Sequence, residues 1–336
     1  MNRFSLLLLS LFVVLAGGCQ EDSVPFDPGK AISGEVSGEN AFAHVSALVD
    51  FGPRPTGSDA LEKSRAYLES QLASIGWVTL RQTFTADTPN GKREFTNLRA
   101  RFGETAWTGA VSGLLCSHYD TKVYKELEFV GANDGGSSTG LLLELARVLA
   151  INPAAAGKIE LVFFDGEEAF GTSITSKDGL FGSKYYAAQW LLEKEQQRPR
   201  WGVLLDMIGD ANLNIRAAAM IPRSSLRDLA TTKEQTGYIV DIESVELELQ
   251  GMSRSLLSAA ADLDLRSYVG VSSDYIIDDH IPLNVVAGIP TIDLIDFDYP
   301  DWHTPGDTLD KISAESLAIT GRVTLHLVEK YLLPGK

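Results

Sequence analysis

The 336-residue chain has few basic side chains: 29 lysines and arginines stand against 45 acids, a formal net charge of −16. Such a surface repels phosphate backbones, which excludes nucleic acid as a partner and leaves cationic groups, such as a peptide α-amine, as what its field attracts. Cysteine is scarcer still, with only Cys19 and Cys116. The apolar run near the start extends from Phe4 to Leu15, short of the roughly 20 residues that a bilayer span requires. No internal repeat of solenoid period is visible. What is present is a 44% hydrophobic composition, enough to bury a large core, and one large globular domain is expected.

Arg3, the apolar run, and Ala16, Gly17 and Gly18 before Cys19 have the layout of a secretion signal over residues 1–18. Small residues followed directly by cysteine resemble the bacterial lipobox, although Ala16 stands where such boxes usually carry leucine. That resemblance implies that Cys19 is the lipidated N-terminus of the mature chain. The protein is therefore expected to be exported and held at the cell envelope by a lipid anchor. Residues 19–40, rich in glycine, serine, proline and acids, read as the tether, and residues 41–336 as the folded domain. Only Cys116 then remains in the mature chain, so no intramolecular disulfide can form even in an oxidising compartment. A monomer is expected.

Apolar residues recur at helical spacing over Ala41 to Phe51 and Asp59 to Ile75, separated by the turn-rich Gly52 to Ser58, with Ser58 or Asp59 able to cap the second helix. Strands are expected at Val78 to Phe84, Glu94 to Arg101 and Gly113 to Ser117. A helix then runs from Ser137 to Ala150, and Ile159 to Phe164 reads as a strand buried on both faces. Helix and strand go on alternating: helices over Gly182 to Lys194, Met252 to Leu263 and Ser313 to Leu333, strands over Trp201 to Ile208, Val285 to Gly288 and Thr291 to Ile295. This alternation predicts an α/β fold, a three-layer α/β/α sandwich on a mixed, mostly parallel central sheet. Asn214 to Leu249 reads as an irregular excursion from it.

In open α/β sheets ligands bind beyond the carboxyl ends of the strands, and five polar motifs lie where the strand pattern predicts such ends. They are His118-Tyr119-Asp120, Gly131-Ala132-Asn133-Asp134-Gly135-Gly136, Asp165-Gly166-Glu167-Glu168, Asp206, and Trp302-His303-Thr304. Two histidines with several carboxylates form a nitrogen and oxygen donor set that suits zinc without thiolate. The pair Glu167-Glu168 can divide its labour, one side chain on the metal and the other carrying protons. Each motif alone is commonly structural; the ordered set is far more specific.

The ordered set resembles the zinc aminopeptidases of metallopeptidase family 28, which also contains the glutaminyl cyclases, over roughly Phe51 to Leu333. The resemblance implies the three-layer sandwich, makes residues 41–336 a catalytic domain, and places Arg54 and Gly57-Ser58 in a signature turn. It implies Asp134, Glu168 and His303 as zinc ligands and Glu167 as general acid-base. His118 and Asp206 would complete a second zinc site in aminopeptidases, with Asp120 orienting the histidine from behind.

Three features resemble the cyclase branch. A segment from Ala169 to Phe181 separates Glu168 from Gly182-Ser183, Asp278-Asp279-His280-Ile281-Pro282 precedes Gly288-Ile289-Pro290, and Trp302 directly precedes His303. In that branch Asp278 would share a proton with Asp206 and meet the substrate amine, while Trp302 and Tyr299 would line the substrate pocket. The implied reaction is cyclisation of N-terminal glutamine on peptides or proteins to pyroglutamate with release of ammonia, using one zinc ion. The alternatives are a two-zinc aminopeptidase and, with intact ligands against it, an inactive binding protein on the same fold. The chain departs from the cyclase pattern in having no tryptophan between Ala169 and Phe181, Ile277 where a glutamine is common, and Asp293 where a histidine is.

Overall fold

The structure is a computed structural model that describes residues 31–103, 107–124, 126–191, 197–225 and 240–334. The secretion signal, Cys19 and the first part of the tether lie outside the described residues. The uninterrupted apolar stretches dictate the centre of the fold. Strands β3 (Gly113–His118), β4 (Ile159–Phe164), β5 (Trp201–Asp206) and β8 (Thr291–Ile295) are buried along their whole length. They lie side by side and parallel in the order β4-β3-β5-β8. Burial on both faces is what such continuous runs require.

An antiparallel hairpin, β1 (Trp77–Thr88) and β2 (Gly91–Phe102), extends one edge by pairing β2 with β4. The other edge carries β6 (Ile215–Ala218), antiparallel to β8, and β7 (Val269–Val271), parallel to β6. Four of the seven strand pairings are thus parallel. The hairpin strands run longer than their apolar patterns predict, because its outer half is polar and is held by the cross-strand ladder as far as Thr88 and Gly91.

Helices cover both faces. On one pack α1 (Gly38–Val49), α2 (Asp59–Ser74), α3 (Ser138–Leu149), the short α4 (Pro153–Ala156), α6 (Ile242–Asp262) and α7 (Ala314–Leu327), around a core containing Leu68, Leu141, Leu205, Leu256 and Leu325. On the other, α5 (Phe181–Gln189) and the segment Leu283–Ala287 enclose Cys116, Val162, Phe164 and Leu204. Ser58 does cap α2, accepting from Leu61 N at 3.1 Å. Cys116 is fully buried, and burial pushes its thiol well above the ordinary range, so it is inert packing.

Two elements differ from the sequence reading. Val285 to Gly288 is not a strand: the chain is helical over Leu283–Ala287 and stops at Gly288, whose φ is 65°. The Asn284 side chain fixes this turn, donating to Thr291 O at 2.9 Å and accepting from Thr291 N at 2.8 Å. Helix α6 starts ten residues before the expected Met252, at Ile242, where Asp241 accepts from Ser244 N. Its acidic outer face hides the apolar spacing of Val245, Leu249, Met252 and Leu256, all buried. Residues 226–239 of the supposed excursion lie outside the described residues, but its flanks are β6 and the start of α6.

Glu160 on β4 is fully buried and holds the hairpin to the sheet, accepting from Arg99 Nε and Arg101 Nε at 2.6 Å each and from the Tyr186 hydroxyl at 3.1 Å. These arginines keep its carboxyl below the usual range although burial alone would raise it. Glu160→Gln should therefore lower the unfolding free energy by about 3–5 kcal/mol. The measurement is a urea titration, in which the midpoint falls at an unchanged slope.

Candidate metal centre

The carboxyl ends of β3, β4, β5 and β8 open into one basin of polar side chains. His118 ends β3 and Asp206 ends β5, so the sheet itself sets them. Asp134 comes from the glycine-rich segment before α3, where Gly131 and Gly135 have φ of 53° and 76°. A Cβ on Gly135 would lie 2.8 Å from Asp120 O and 2.9 Å from His118 Cε1. Only glycine lets this loop press against the end of β3. Glu167 and Glu168 follow β4, and His303 comes from the loop after β8 with a left-handed φ of 56°.

The sequence-selected residues converge. His303 Nε2 lies 3.2 Å from Glu168 Oε1 and 3.3 Å from Asp134 Oδ2. His118 Nε2 lies 3.1 Å from Asp206 Oδ1 and 3.2 Å from Asp134 Oδ1. Two overlapping groups, Asp134–Glu168–His303 and His118–Asp134–Asp206, thus each bring their potential ligand atoms within 4.8 Å of one another. Their mix of imidazole nitrogen and carboxylate oxygen fits zinc.

Electrostatics in the basin are dominated by burial of like charges. Burial and then Asp278 push the Glu167 carboxyl well above its usual range. Glu168 is raised by burial and by Asp134, against the lowering pull of His303 and Lys122. Asp134 moves the other way: burial opposes ionisation, but hydrogen bonds from His118 and His303 win and lower it. His303 is pushed up to about 9, its two carboxylate partners outweighing burial.

Asp120 does more than its expected role. It lies 3.6 Å from His118 Nδ1, too long for a hydrogen bond, and accepts from the backbone N–H groups of Glu167 and Glu168 at 3.3 and 3.4 Å. It therefore fixes the glutamate pair to the end of β3. Asp278 and Asp206 repel one another, and this raises Asp278 well above its usual range after burial. No hydrogen bond joins the two carboxyls, and Asp278 Oδ1 accepts from Asp279 N. Asp165 turns away from the basin, to Thr56, Thr96 and Arg65.

The metal groups face a cavity of about 290 Å³ with Glu167, Asp206 and Asp278 at its base. Ile174, Tyr275, Ile276, Ile277, Phe297 and Trp302 supply its apolar walls. Trp302 stacks on His303 with ring centroids 4.3 Å apart. The segment after Glu168 contributes Thr172, Ser173 and Ile174, its turn held by Asp178, which accepts from Phe170 N and Gly171 N. Tyr299 is placed differently from expectation. It is 4% exposed, is not part of the cavity wall, and donates to Asp307 Oδ1 at 2.9 Å.

The sequence reading missed three residues. Lys122 is buried in the cavity and donates to Glu168 Oε2 at 3.3 Å and Ala169 O at 3.0 Å; its signal was its position two residues past Asp120. Tyr124 donates to His303 O at 3.2 Å. Asp307 accepts from Asn133 N and Asp134 N at 2.7 and 3.0 Å, which sets the Asp134 loop. Arg54 braces that loop from behind, fully buried, donating to Val130 O at 2.7 Å and Gly131 O at 3.0 Å.

Comparison with known proteins agrees with this geometry. Residues 100–328 match the model of peptidase family M28. A glutaminyl-peptide cyclotransferase of Drosophila melanogaster is 31% identical over 84% of this chain and 78% of its own length. The glutaminyl cyclase of an Acidobacteriales bacterium is 32% identical over 89% of this chain and 96% of its own, with a TM-score of 0.69. A Zn-dependent exopeptidase from Parabacteroides distasonis is 27% identical over 88% and 98%, with a TM-score of 0.68. With the matching fold, the converging ligand set and the family model across most of the folded domain, the chain belongs to peptidase family M28.

Proposed function

We propose that the chain is a zinc-dependent glutaminyl-peptide cyclotransferase acting on the N-termini of peptides or proteins. The observation that carries this reading is the cavity's lining: Thr172, Ser173 and Ile174 from the segment after Glu168 stand in the same cavity as Trp302. An N-terminal glutamine folded back on itself fits such a pocket, whereas an open groove would suit a passing chain. Relatives named for this reaction support it.

Asp134, Glu168 and His303 would hold the ion, whose chemistry there is to polarise the γ-carbonyl of the glutamine. Trp302 and the apolar walls confine the side chain so that the peptide's own α-amine meets that carbonyl, the proximity effect that makes cyclisation fast. A bond forms from the amine nitrogen to the γ-carbonyl carbon, and the bond to the amide nitrogen breaks. Glu167, made more basic by burial and by Asp278, takes the amine proton and passes it to the leaving ammonia. Asp278, on the cavity floor, is placed to attract the amine. Lys122 holds the Glu168 oxygen that does not face His303.

A second reading, the two-zinc aminopeptidase, is favoured by one observation, the intact His118–Asp134–Asp206 group. Zinc-loaded protein offered a Gln-initiated peptide and a leucyl arylamide separates the two. Ammonia release without arylamine is expected, and arylamine without ammonia would overturn cyclisation. Glu167→Gln should slow ammonia release on the order of 10²–10⁴-fold while zinc content stays unchanged.

Because its carboxylate partners raise His303 to about 9 against the pull of burial, it carries a proton at neutral pH, and an ion binds its neutral form. Zinc binding at pH 7.5 should therefore expel about one proton or more, an effect that fades as the pH rises past 9. Calorimetry in two buffers of different ionisation enthalpy measures it; an enthalpy that does not change with buffer at pH 7.5 rejects it.

We also propose that the protein is exported and anchored through lipidated Cys19, a residue outside the described ones. The support is the layout of Arg3, the apolar run and Ala16-Gly17-Gly18 before Cys19. In membrane fractionation Cys19→Ala should move the protein from the membrane to the soluble fraction. Retention of that variant with the membrane would refute a lipid at Cys19.

A further inference from the structure

Behind the cavity floor, Asp293 from the middle of β8 meets Asp278 and His280 from the turn ahead of Leu283–Ala287. Asp293 pairs in register with Leu204, whose side chain belongs to the apolar core beneath α5. This is a costly place for an acid. Exposure is 3% for Asp278 and 0% for His280 and Asp293. Five polar atoms in the cluster have no hydrogen-bond partner among the described residues: Asp278 Oδ2, both ring nitrogens of His280, and both carboxylate oxygens of Asp293.

Buried polar groups are almost always satisfied, and an orphan costs about 1–3 kcal/mol. Five together call for something that bonds to all three side chains. The spacing says what kind of group that is. One nitrogen or oxygen from each residue lies within 4.8 Å of the others, and His280 Nδ1 is 3.7 Å from Asp293 Oδ2, beyond direct hydrogen bonding. Donor atoms too far apart to bond one another, yet within the span of one coordination sphere, suit a bridging ion. Two carboxylates balance a divalent charge, and one imidazole with oxygen ligands selects zinc or a similar transition metal.

We infer that Asp278, His280 and Asp293 form a further metal site, which takes a divalent transition ion of the zinc class and is distinct from the groups built on Asp134. Asp278 connects it to the cavity: the ion takes Oδ2, while Oδ1 is held by Asp279 N. The ion thereby fixes the carboxylate that faces the substrate, which makes His280 and Asp293 positioning residues for Asp278. The site is defined by these three residues alone and stands whether the enzyme cyclises or hydrolyses.

The test is the position of bound zinc. Crystals of the full-length protein grown with zinc chloride, with diffraction recorded on both sides of the zinc absorption edge, should show an anomalous peak bounded by Asp278, His280 and Asp293. This peak is expected in addition to one at Asp134–Glu168–His303. Absence of a peak at the three residues, including ordered density there without anomalous signal, overturns the inference, as does a second peak confined to His118–Asp134–Asp206. In solution, His280→Gln and Asp293→Asn should each lower zinc content after gel filtration by one equivalent relative to the parent. Zinc content equal to the parent's in a folded variant overturns it, and the crystal result decides the matter if neither variant folds.

Discussion

The structure is governed by the burial of acids at the carboxyl ends of four parallel strands. Asp120, Asp134, Glu167, Glu168 and Asp206 are buried there, and Asp278, Asp279 and Asp293 are buried close by. Like charges in a dry basin resist ionisation, and several of these carboxyls are pushed upward by burial and by one another. The basin is tolerable because its acids are given positive partners or backbone donors: His118 and His303 between them, Lys122 on Glu168, and N–H groups on Asp120 and Asp307. The acids outnumber these cationic partners, which leaves the basin with a surplus of negative charge.

That constraint explains why the surrounding scaffold is rigid where it touches the ligands. Arg54 spends its buried guanidinium on backbone carbonyls instead of on a carboxylate, so it braces the Asp134 loop and supplies positive potential at once. Asp307 closes the loop from the opposite side. Asp120 connects two strand ends, tying the glutamate pair after β4 to the end of β3. The ligands depend little on their own rotamer preferences, because the backbone that carries each one is held by another buried polar group.

Much of this was legible in the sequence because it is local. Mostly apolar runs located the buried strands Ile159–Phe164 and Thr291–Ile295 to the residue, and polar residues at or after the ends of β3, β4 and β5 marked where the site opens. The ligand groups were found from the order of five motifs, none of which persuades alone. What escaped was non-local. Lys122 and Tyr124 look like ordinary loop residues until the loop folds over His303, and Asp293 is hidden inside an apolar strand pattern. Helix α6 was read short because its acidic face masks its start. Tyr299 was placed on the cavity wall, whereas its hydroxyl is engaged by Asp307, a partner eight residues on that spacing alone does not reveal.

His303 sits on left-handed backbone between a carbonyl held by Tyr124 and an indole laid flat on its ring. Trp302 is 41% exposed and also leans on Phe297, 5.0 Å away between centroids. The outer lip of the cavity and one member of the candidate metal group are therefore adjoining residues in direct contact. The indole covers one face of the imidazole, so whatever enters past Trp302 passes directly beside His303. Pocket lip and candidate ligand share one short stretch of chain, so a change at either one bears on the other.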